Sequence, residues 1–292
     1  MRAISKVAEA YKRDRRIQPA FRPHGALVCD QRVLSWKGPD RVSILTLHGR
    51  ERIPVVMTGY QQALLDRIRG QADLNYRNGQ FFLAVVVDVP EPPPIQPTDW
   101  LGGDLGLINI AADSDRTVYS GQHLKALRAR HARLRQRLQK TGTKSAKRLL
   151  KKRRRKEARF ATDVNHRIAK QLVTQAQGTR RGIALEDLTG IRDRMTVSKA
   201  QRRRQHSWAF HQLRRFIEYK ARLAGVPVTL VDPRNTSRTC PQCGLIDKHN
   251  RPDQAHFRCI GCGFARPADT TAARNIASRA AVNQPQAAGG SA

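Results

Sequence analysis

The sequence predicts an α/β protein in which a sheet carries helices on its faces, preceded by a smaller β-rich region. Three observations support this prediction. Residues 25–90 are rich in strand-like runs, the proline-rich segment PEPPPIQP at 90–97 interrupts regular structure, and strands alternate with helices after it. We therefore expect one domain at 1–98, a second at 99–281, and a polar, disordered tail at 282–292.

The β-rich region contains the runs RVSILTL, RIPVVMTG and LNYRNGQFFLAVVVDV, which are dominated by β-branched and apolar residues. The dipeptide Asn78-Gly79 lies inside the last of these runs and is typical of a two-residue hairpin turn. Cys29 is the one cysteine of this region and has apolar neighbours. We expect it to be a small buried side chain.

After the linker the predicted order is strand, strand, helix, helix, strand, helix, strand, insert and helix. The segment GGDLGLINIAA is the first strand, and a hairpin at DSD leads to the second. Residues 122–178 form two long helices joined near KTGTKS, and GIALEDL and VPVTLVDP are short buried strands. The apolar stripes of the two helices consist of Leu124, Leu127, Leu134 and Leu138, and of Val164, Ile168, Leu172 and Ala176.

The charge balance indicates the partner. The chain has 55 Lys and Arg against 23 Asp and Glu, a formal net charge of +32, and 39% hydrophobic residues. That composition is typical of a globular protein that binds nucleic acid. The N-terminal residues lack the apolar core of a signal peptide, and no run approaches the ~20 apolar residues of a membrane span. We expect a cytosolic protein that has no contact with a membrane.

Two segments concentrate the positive charge. Residues 122–181 contain 21 Lys and Arg and only two acids, and QRRRQHSW follows at 201–208. Solvated helix faces usually mix charges of both signs, so a single sign predicts contact with a phosphate backbone. The residues expected to make these contacts are Lys151, Lys152, Arg153, Arg154, Arg155, Arg202, Arg203 and Arg204.

Four cysteines form a predicted metal site within an insert at 235–267. Cys240 and Cys243 form CPQC, and after fifteen residues Cys259 and Cys262 form CIGC. Two such pairs complete a tetrahedral four-sulfur site, which suits Zn²⁺. The protein fills all four positions, so we expect this zinc to be structural.

Three carboxylates from distant segments are predicted to meet at one edge of the sheet. Asp104 lies early in the first strand, Glu186 ends the strand GIALEDL, and Asp269 begins the last helix. Such a cluster repels itself unless cations neutralise it. Oxygen ligands suit Mg²⁺ or Mn²⁺, and two such ions about 3.5–4 Å apart support phosphodiester hydrolysis.

Each carboxylate also has a simpler explanation. Asp269 is in a position favoured for a helix N-cap, and Asp104 is a turn residue beside glycine. Glu186 has arginines available as partners, and its neighbour Asp187 competes for its role. The ordered set of all three acids favours the metal site.

Several motifs together resemble the TnpB family, transposon-encoded RNA-guided nucleases related to the type V CRISPR effectors. The motifs are GGDLGLINIA, GIALEDLTGI, RNTSRTCPQCG, FRCIGCGF and ADTTAARNIA, and the resemblance extends from about Ala72 to Ala280. It implies an RNase H-like (RuvC) nuclease domain with an inserted zinc ribbon, preceded by a small β-barrel-like wedge domain.

The resemblance also implies roles. Asp104, Glu186 and Asp269 match the three catalytic acids that bind divalent metal and cut DNA, and the cysteines match a zinc-binding module that contacts target nucleic acid. The partners implied are a guide RNA and target DNA in a prokaryotic cytosol or nucleoid. Family members usually carry a helical recognition domain inserted in the barrel. Here about twenty residues precede the first strand, so we expect that region to be short or missing.

Two other classes compete with a nuclease. Actin- and hexokinase-like ATPases also begin with an Asp-x-Gly hairpin, but they need Ser or Thr where Leu107 stands, and they give no reason for the charge of +32. A non-cutting nucleic-acid-binding relative, such as a transposition regulator, is the stronger alternative. Intact acids argue against it, and the short N-terminal region argues for it.

Overall fold

The computed structural model describes residues 8–9, 11–16, 24–77, 79–106, 108–189 and 210–282. The chain divides into two compact units, Met1–Pro90 and Glu91–Ala292. Within the part of the chain that is described, no helix has the length and apolar character needed to cross a membrane.

Between residues 24 and 90, the described part of the first unit contains six strands, a four-residue helix and a short 3-10 turn. They are β1 (Leu27–Cys29), β2 (Leu34–Trp36), β3 (Arg41–Thr46), β4 (Gly49–Pro54), α1 (Gly59–Gln62), the turn Leu65–Arg67, β5 (Ile68–Arg77) and β6 (Gln80–Val87). Two antiparallel sheets result, with the orders β1-β5-β6 and β2-β3-β4. The predicted barrel-like domain therefore takes the form of two three-stranded sheets.

One core joins these two sheets. Cys29 and Ala72 come from the first sheet and Leu34, Val42 and Ile44 from the second, and all five side chains are buried together. The burial of Cys29 is as predicted. The β5–β6 hairpin is also confirmed, since Arg77 pairs with Gln80 and Gly79 has a φ of 84°. Asn78, the other predicted turn residue, lies outside the described residues.

The second unit contains a five-stranded mixed sheet. Its strands are β7 (Trp100–Asp104), β8 (Asn109–Asp113), β9 (Val118–Ser120), β10 (Gly182–Glu186) and β11 (Val228–Val231), in the order β11-β10-β7-β8-β9. The strands β11, β10 and β7 are parallel, and β8 and β9 continue the sheet in antiparallel fashion. The helices are α2 (Gln122–Thr141), α3 (Lys144–Gly178), α4 (Phe210–Leu223) and α5 (Ala268–Val282).

One part of the predicted strand order is wrong. The segment GGDLGLINIAA is two strands, because the chain reverses between Asp104 and Asn109. Gly106 lies in this tight reversal, where a Cβ atom would come within 2.7 Å of the Asn109 carbonyl oxygen. Asp104 therefore ends a strand instead of lying early in one. Leu107, the residue that argued against an ATPase, lies outside the described residues.

The two long helices are confirmed. Gly142 ends α2 in the left-handed conformation, and the Thr143 side chain caps α3 by accepting from the backbone N–H of Ala146. The predicted stripe of α3 is largely buried, with Ile168, Leu172 and Ala176 in the core. Of the α2 stripe only Leu124 is fully buried, since its other leucines are only half covered.

Alternating strand residues divide the sheet into two faces. Leu101, Ile183 and Leu185 belong to the large core with α3 and α4. Trp100 and Ala184 point the other way, into a smaller core with Val231 and with Ile276 and Ala280 of α5. Because side chains alternate along a strand, Asp104 and Glu186 share the α5 face.

A close approach places α5 on that face. A Cβ atom on Gly102 would lie 1.9 Å from the Ala273 carbonyl oxygen and 2.7 Å from the Ala277 nitrogen. Only glycine fits between β7 and the helix backbone there. The helix thus lies directly over the strand that ends in Asp104.

The cysteine-containing insert leads directly into α5. It has a bridge between Thr239 and Ile246, a 3-10 turn at Lys248–Asn250, and the antiparallel pair β12 (His256–Arg258) and β13 (Ala265–Pro267). The proline-rich segment 90–97 has no regular secondary structure. Within the second unit, the Ile95 side chain packs against the large core and its backbone N–H donates to the Gly225 carbonyl.

Candidate metal centres

The four predicted zinc ligands converge. The sulfurs of Cys240, Cys243, Cys259 and Cys262 all lie within 4.8 Å of one another. The Sγ–Sγ distance is 3.6 Å for Cys240 and Cys262 and 3.5 Å for Cys243 and Cys259. One sulfur of each pair belongs to a buried residue and the other to an exposed one. Four sulfurs in this arrangement suit a tetrahedral zinc site with no open position.

Local sequence makes this cluster. Gly244 and Gly263 each follow a cysteine pair with φ of 75° and 73°, a conformation that glycine adopts at little cost. Their N–H groups donate to the carbonyls of Cys240 and Cys259, which closes each turn. The backbone N–H of Cys262 donates to the Cys259 sulfur and lowers the pKa of that thiol to about 6, whereas the neighbouring cysteines raise the pKa of Cys243 and Cys262. A lowered thiol pKa favours the thiolate that binds metal.

A buried asparagine joins the two halves of the insert. The Asn250 side chain is fully buried, and its Nδ2 donates to the carbonyls of Arg238 and Leu245. Its Oδ1 accepts from the backbone N–H of Ile260, beside the second cysteine pair. Nothing in the sequence singled out this residue, because its partners are backbone atoms of other turns.

The three predicted carboxylates lie around one edge of the sheet. Leu185 pairs with Gly103 across the parallel strands, so the next residues, Glu186 and Asp104, are neighbours at the carboxyl ends of β10 and β7. Asp269 lies in the first turn of α5, which covers the same face. Asp104 and Glu186 are neighbours because the parallel strands β7 and β10 have their carboxyl ends at the same edge of the sheet.

Electrostatics indicate that these carboxylates are close to one another. The pKa of Asp104 is raised to about 8 by burial and, to a lesser extent, by the charges of Glu186 and Asp269, and the charge of Arg251 opposes this rise. Burial also raises the pKa of Glu186, against a hydrogen bond from Thr236 and the charges of Arg279 and Arg251. Asp104 therefore has both of the other acids as neighbours in a site with little water.

Two of the carboxylates are held by donors from other elements. The Asp269 Oδ2 accepts from Asn109 Nδ2 at 2.8 Å, and its Oδ1 accepts from the Arg251 guanidinium at 3.3 Å. The Thr236 hydroxyl donates to Glu186 Oε1. Asp269 therefore makes tertiary contacts and is more than a capping residue of α5. Asn109, Thr236 and Arg251 were not predicted, although Thr236 lies inside the motif RNTSRTCPQCG.

Asp187, the alternative to Glu186 as a metal ligand, makes different contacts. Asp187 accepts hydrogen bonds from Thr189 and pairs with Arg214 of α4 at 3.2 Å. As the next residue in the chain it points toward the α4 face of the sheet, and its side chain is 47% exposed. The alternation of the chain therefore favours Glu186 over Asp187.

The two clusters differ in compactness. Among the described residues, the four cysteines are the single group of three or more potential ligands whose atoms all lie within 4.8 Å. The three carboxylates do not form a second group of this kind. Asp104 is the acid whose pKa is raised by the charges of both others, as expected of a ligand shared by two ions.

The predicted backbone-binding residues on α3 line a different cavity. Lys151, Arg153 and Arg154 line a cleft of about 940 Å³ between α2, α3 and α4, where Glu157 accepts from His131 and Arg135. None of the three carboxylates lines this cleft. Lys152 and Arg155 are exposed on the same helix, and Arg202, Arg203 and Arg204 lie outside the described residues.

Comparison with known proteins finds matches to two family models. A family model described as a probable transposase (OrfB_IS605) matches residues 84–189, and the model of the Cas12f1-like TNB domain matches residues 210–276. The CRISPR-associated endodeoxyribonuclease Cas12f1 of Sulfoacidibacillus thermotolerans is 42% identical over 123 residues, which cover 42% of this chain and 28% of that one.

Two further matches are longer. The TnpB-like protein MJ0751 of Methanocaldococcus jannaschii is 28% identical over 259 residues, or 81% of this chain and 90% of the relative. The cryo-EM structure of a Cas12f1-sgRNA-target DNA complex superposes with a TM-score of 0.61 at 16% identity, covering 89% of this chain and 63% of that one. The structural likeness shows a shared fold, and the chain spans less than two thirds of either Cas12f1 match.

Proposed function

This chain is a TnpB-type relative of the type V CRISPR effectors, and from this we propose that it is an RNA-guided DNA endonuclease of the prokaryotic cytosol. A guide RNA would pair with the target DNA, and the protein would hydrolyse DNA phosphodiesters. The observation that carries the proposal is the electrostatic contact of Asp104 with Glu186 and Asp269, in a chain of net charge +32.

The three carboxylates fit a site for Mg²⁺ or Mn²⁺. Because its pKa is raised to about 8, Asp104 keeps its proton near neutral pH when no cation is bound. Bound cations would offset the repulsion among the three carboxylates and allow Asp104 to ionise. Asp104, Glu186 and Asp269 would hold the ions, with Asp104 as the shared ligand. Two divalent ions would supply a nucleophilic water and stabilise the leaving oxygen.

The surrounding residues position these ligands. Thr236 holds Glu186 and Asn109 holds Asp269, so both carboxylates are oriented before any ion binds. Arg251 contributes a positive charge beside Asp269, where a phosphate would also approach. Asp104 would give up its proton when the ions bind, so ion binding would strengthen as the pH rises.

Zn²⁺ would have a separate, structural role. The four cysteines would bind it and stabilise the insert that supplies Thr236 and Arg251 to the acid cluster. The basic surface of α3, with Lys151, Lys152, Arg153, Arg154 and Arg155, would contact the backbone of the guide or the target. We give Arg202, Arg203 and Arg204 the same role on the basis of sequence alone.

The test compares two adjacent acids. The protein is purified with its co-expressed RNA, and magnesium-dependent cutting of DNA matching that RNA is measured. Asp104→Asn and Glu186→Gln should each lower the cutting rate by about a thousandfold or more, because each removes a metal ligand worth several kcal/mol. Asp187→Asn is the matched control and should cut normally. Equal cutting by Glu186→Gln and the wild type would disprove the assignment.

A non-cutting nucleic-acid-binding protein is the second candidate. It is favoured by the finding that, among the described residues, the carboxylates form no compact ligand group like that of the cysteines, and by the pairing of Asp269 with Arg251. This candidate predicts that the wild type binds RNA and matching DNA with no cutting at any magnesium concentration. The same assay therefore separates the two candidates.

A further inference from the structure

Both oxygens of the Asp269 carboxylate already accept from donors within the protein. Its Oδ2 accepts from Asn109 Nδ2 at 2.8 Å, and its Oδ1 accepts from the Arg251 guanidinium at 3.3 Å. The ion pair is sheltered from water, since the side chain of Asp269 is 18% exposed and that of Arg251 is 22% exposed. An ion that binds Asp269 must therefore share this carboxylate with two donors of different charge.

The two donors would respond differently to a divalent ion. A carboxylate oxygen has two lone pairs, so it can accept a hydrogen bond from the neutral Asn109 amide and still bind a metal. The Arg251 guanidinium is always charged, and a second cation on the same carboxylate would repel it. Arg251 and a divalent ion therefore compete for Asp269, whereas Asn109 can stay in place.

The charge of Arg251 acts on the whole cluster. Burial is the main cause of the raised pKa of Asp104 and of Glu186, and the charge of Arg251 opposes both rises. A cation that lowers the pKa of neighbouring acids stabilises their ionised form, as a bound metal ion does. Arg251 thus partly neutralises the three carboxylates, but it offers no coordination position to a substrate.

The cysteine insert holds Arg251 in this position. Arg251 follows the 3-10 turn Lys248–Asn250, and the last residue of that turn is the buried asparagine that joins the two halves of the insert. Its Nη2 donates to the Gln254 carbonyl at 3.0 Å as well as to Asp269. A guanidinium that leaves Asp269 would therefore keep a partner within the insert, which lowers the cost of leaving.

From this arrangement we propose that Arg251 is a built-in counter-cation of the carboxylate cluster, which a divalent ion must displace from Asp269 in order to bind there. The contact opposes metal binding at low metal concentration, and it sets the concentration at which the weaker ion binds. The inference rests on the proposed function, since it takes the three acids to be the metal ligands. It gives the cysteine insert control over metal binding by acids that lie outside the insert.

The test measures Mn²⁺ binding and does not depend on cutting. The full chain is freed of RNA with nuclease and high salt and titrated with Mn²⁺, and the free ion is measured by electron paramagnetic resonance. Arg251→Gln should tighten the weaker of the bound ions by about tenfold or more, the equivalent of one charge-assisted hydrogen bond. Arg251→Lys keeps a competing cation, so its affinity should stay within about threefold of the wild type.

Arg279→Gln is the charge-matched control. Burial raises the pKa of Glu186 and the charge of Arg279 opposes this rise, as that of Arg251 does, but the Arg279 guanidinium donates to the Asp232 carbonyl and not to a carboxylate of the cluster. Its replacement frees no carboxylate oxygen, so Mn²⁺ affinity should change by no more than about twofold. An equal effect of Arg251→Gln and Arg279→Gln would overturn the proposal, and so would a lysine variant that binds Mn²⁺ as tightly as Arg251→Gln.

A further variant separates this inference from the proposed function. Asp104→Asn should weaken the binding of both ions, because Asp104 is expected to be their shared ligand. Mn²⁺ binding by Asp104→Asn equal to that of the wild type would overturn the metal centre, and the proposed function and this inference with it. Loss of binding in Asp104→Asn together with an unchanged affinity in Arg251→Gln would leave the metal centre in place and overturn only the role of Arg251.

Discussion

The cysteine cluster and the carboxylate cluster both suit metal, but they are built in opposite ways. The four sulfurs lie within 4.8 Å of one another, on two tight turns that contain two cysteines each. The three carboxylates come from two strands and a helix and form no compact group of this kind. Each pair of sulfurs is positioned by one local turn, whereas the position of each carboxylate depends on how a different strand or helix packs.

The difference indicates different roles. A compact four-sulfur site leaves no position for a substrate, so its contribution is to the stability of the insert. Burial and the charges of the other two acids raise the pKa of Asp104 to about 8, and Thr236 and Asn109 donate hydrogen bonds to Glu186 and Asp269. A buried cluster of like charges lowers stability, and we expect bound cations to offset this cost.

The largest effect expected is the loss of the insert. Cys259→Ser removes one of four sulfur ligands, and structural zinc sites contribute on the order of 10 kcal/mol to folding. We expect zinc content to fall well below one per chain and residues 235–267 to become sensitive to protease. Zinc analysis and limited proteolysis would measure this.

Cys29→Ala is the control for that experiment. Cys29 is buried in the first unit and belongs to no ligand group, so this variant should keep one zinc per chain. A Cys259→Ser protein with full zinc content would contradict the four-sulfur site and weaken the contrast between the two clusters.

The second effect concerns stability and pH. The pKa of Asp104 is about 8 when folded, because of burial and then of Glu186 and Asp269, against an ordinary value of 3.8. Between these values the unfolded chain releases a proton that the folded chain keeps. The free energy of unfolding without metal should therefore fall as the pH rises, by at most about 1.4 kcal/mol per pH unit.

Asp104→Asn removes this dependence. The variant should be more stable than the wild type near neutral pH, by up to about 4 kcal/mol, with a shallower pH slope in urea unfolding. Asp163→Asn is the control, since its carboxylate is 64% exposed on α3, and it should follow the wild type. Identical slopes for Asp104→Asn and the wild type would show that Asp104 ionises as freely as a surface acid.

The smallest effect concerns the position of α5. In Gly102→Ala the new Cβ would overlap the Ala273 carbonyl, so the helix must shift, at a cost of about 1–3 kcal/mol. Because α5 carries Asp269, DNA cutting should fall by more than the loss of stability explains. Thermal unfolding and the cutting assay would measure the two effects.

Gly103→Ala is the matched control. Its close contact would be with the end of the Leu185 side chain, at 2.9 Å, which can rotate away, while the Ala184 carbonyl oxygen would lie at an ordinary 3.8 Å. This variant should keep α5 in place and cut nearly normally. Equal loss of cutting in both variants would contradict the role given to the close approach at Gly102.

The sequence by itself determined the features that depend on neighbouring residues. The cysteine pairs with their glycines, the two long helices of 122–178, and the buried strand before Glu186 follow from spacing and periodicity, which local geometry enforces. The motifs also pointed to the TnpB family, and the comparisons support a TnpB-type relative of the type V effectors. The three acids were selected from sequence, and their catalytic role stays a prediction.

Other features depend on residues that meet only after folding. The break after Asp104 arises because the chain reverses under α5, and a glycine-rich apolar run does not show where a strand ends. Arg251, Asn109 and Thr236 reach the acids from segments far away in the chain, and no local pattern encodes those contacts. Packing selected Glu186 over Asp187, because only one of two adjacent strand residues can face α5.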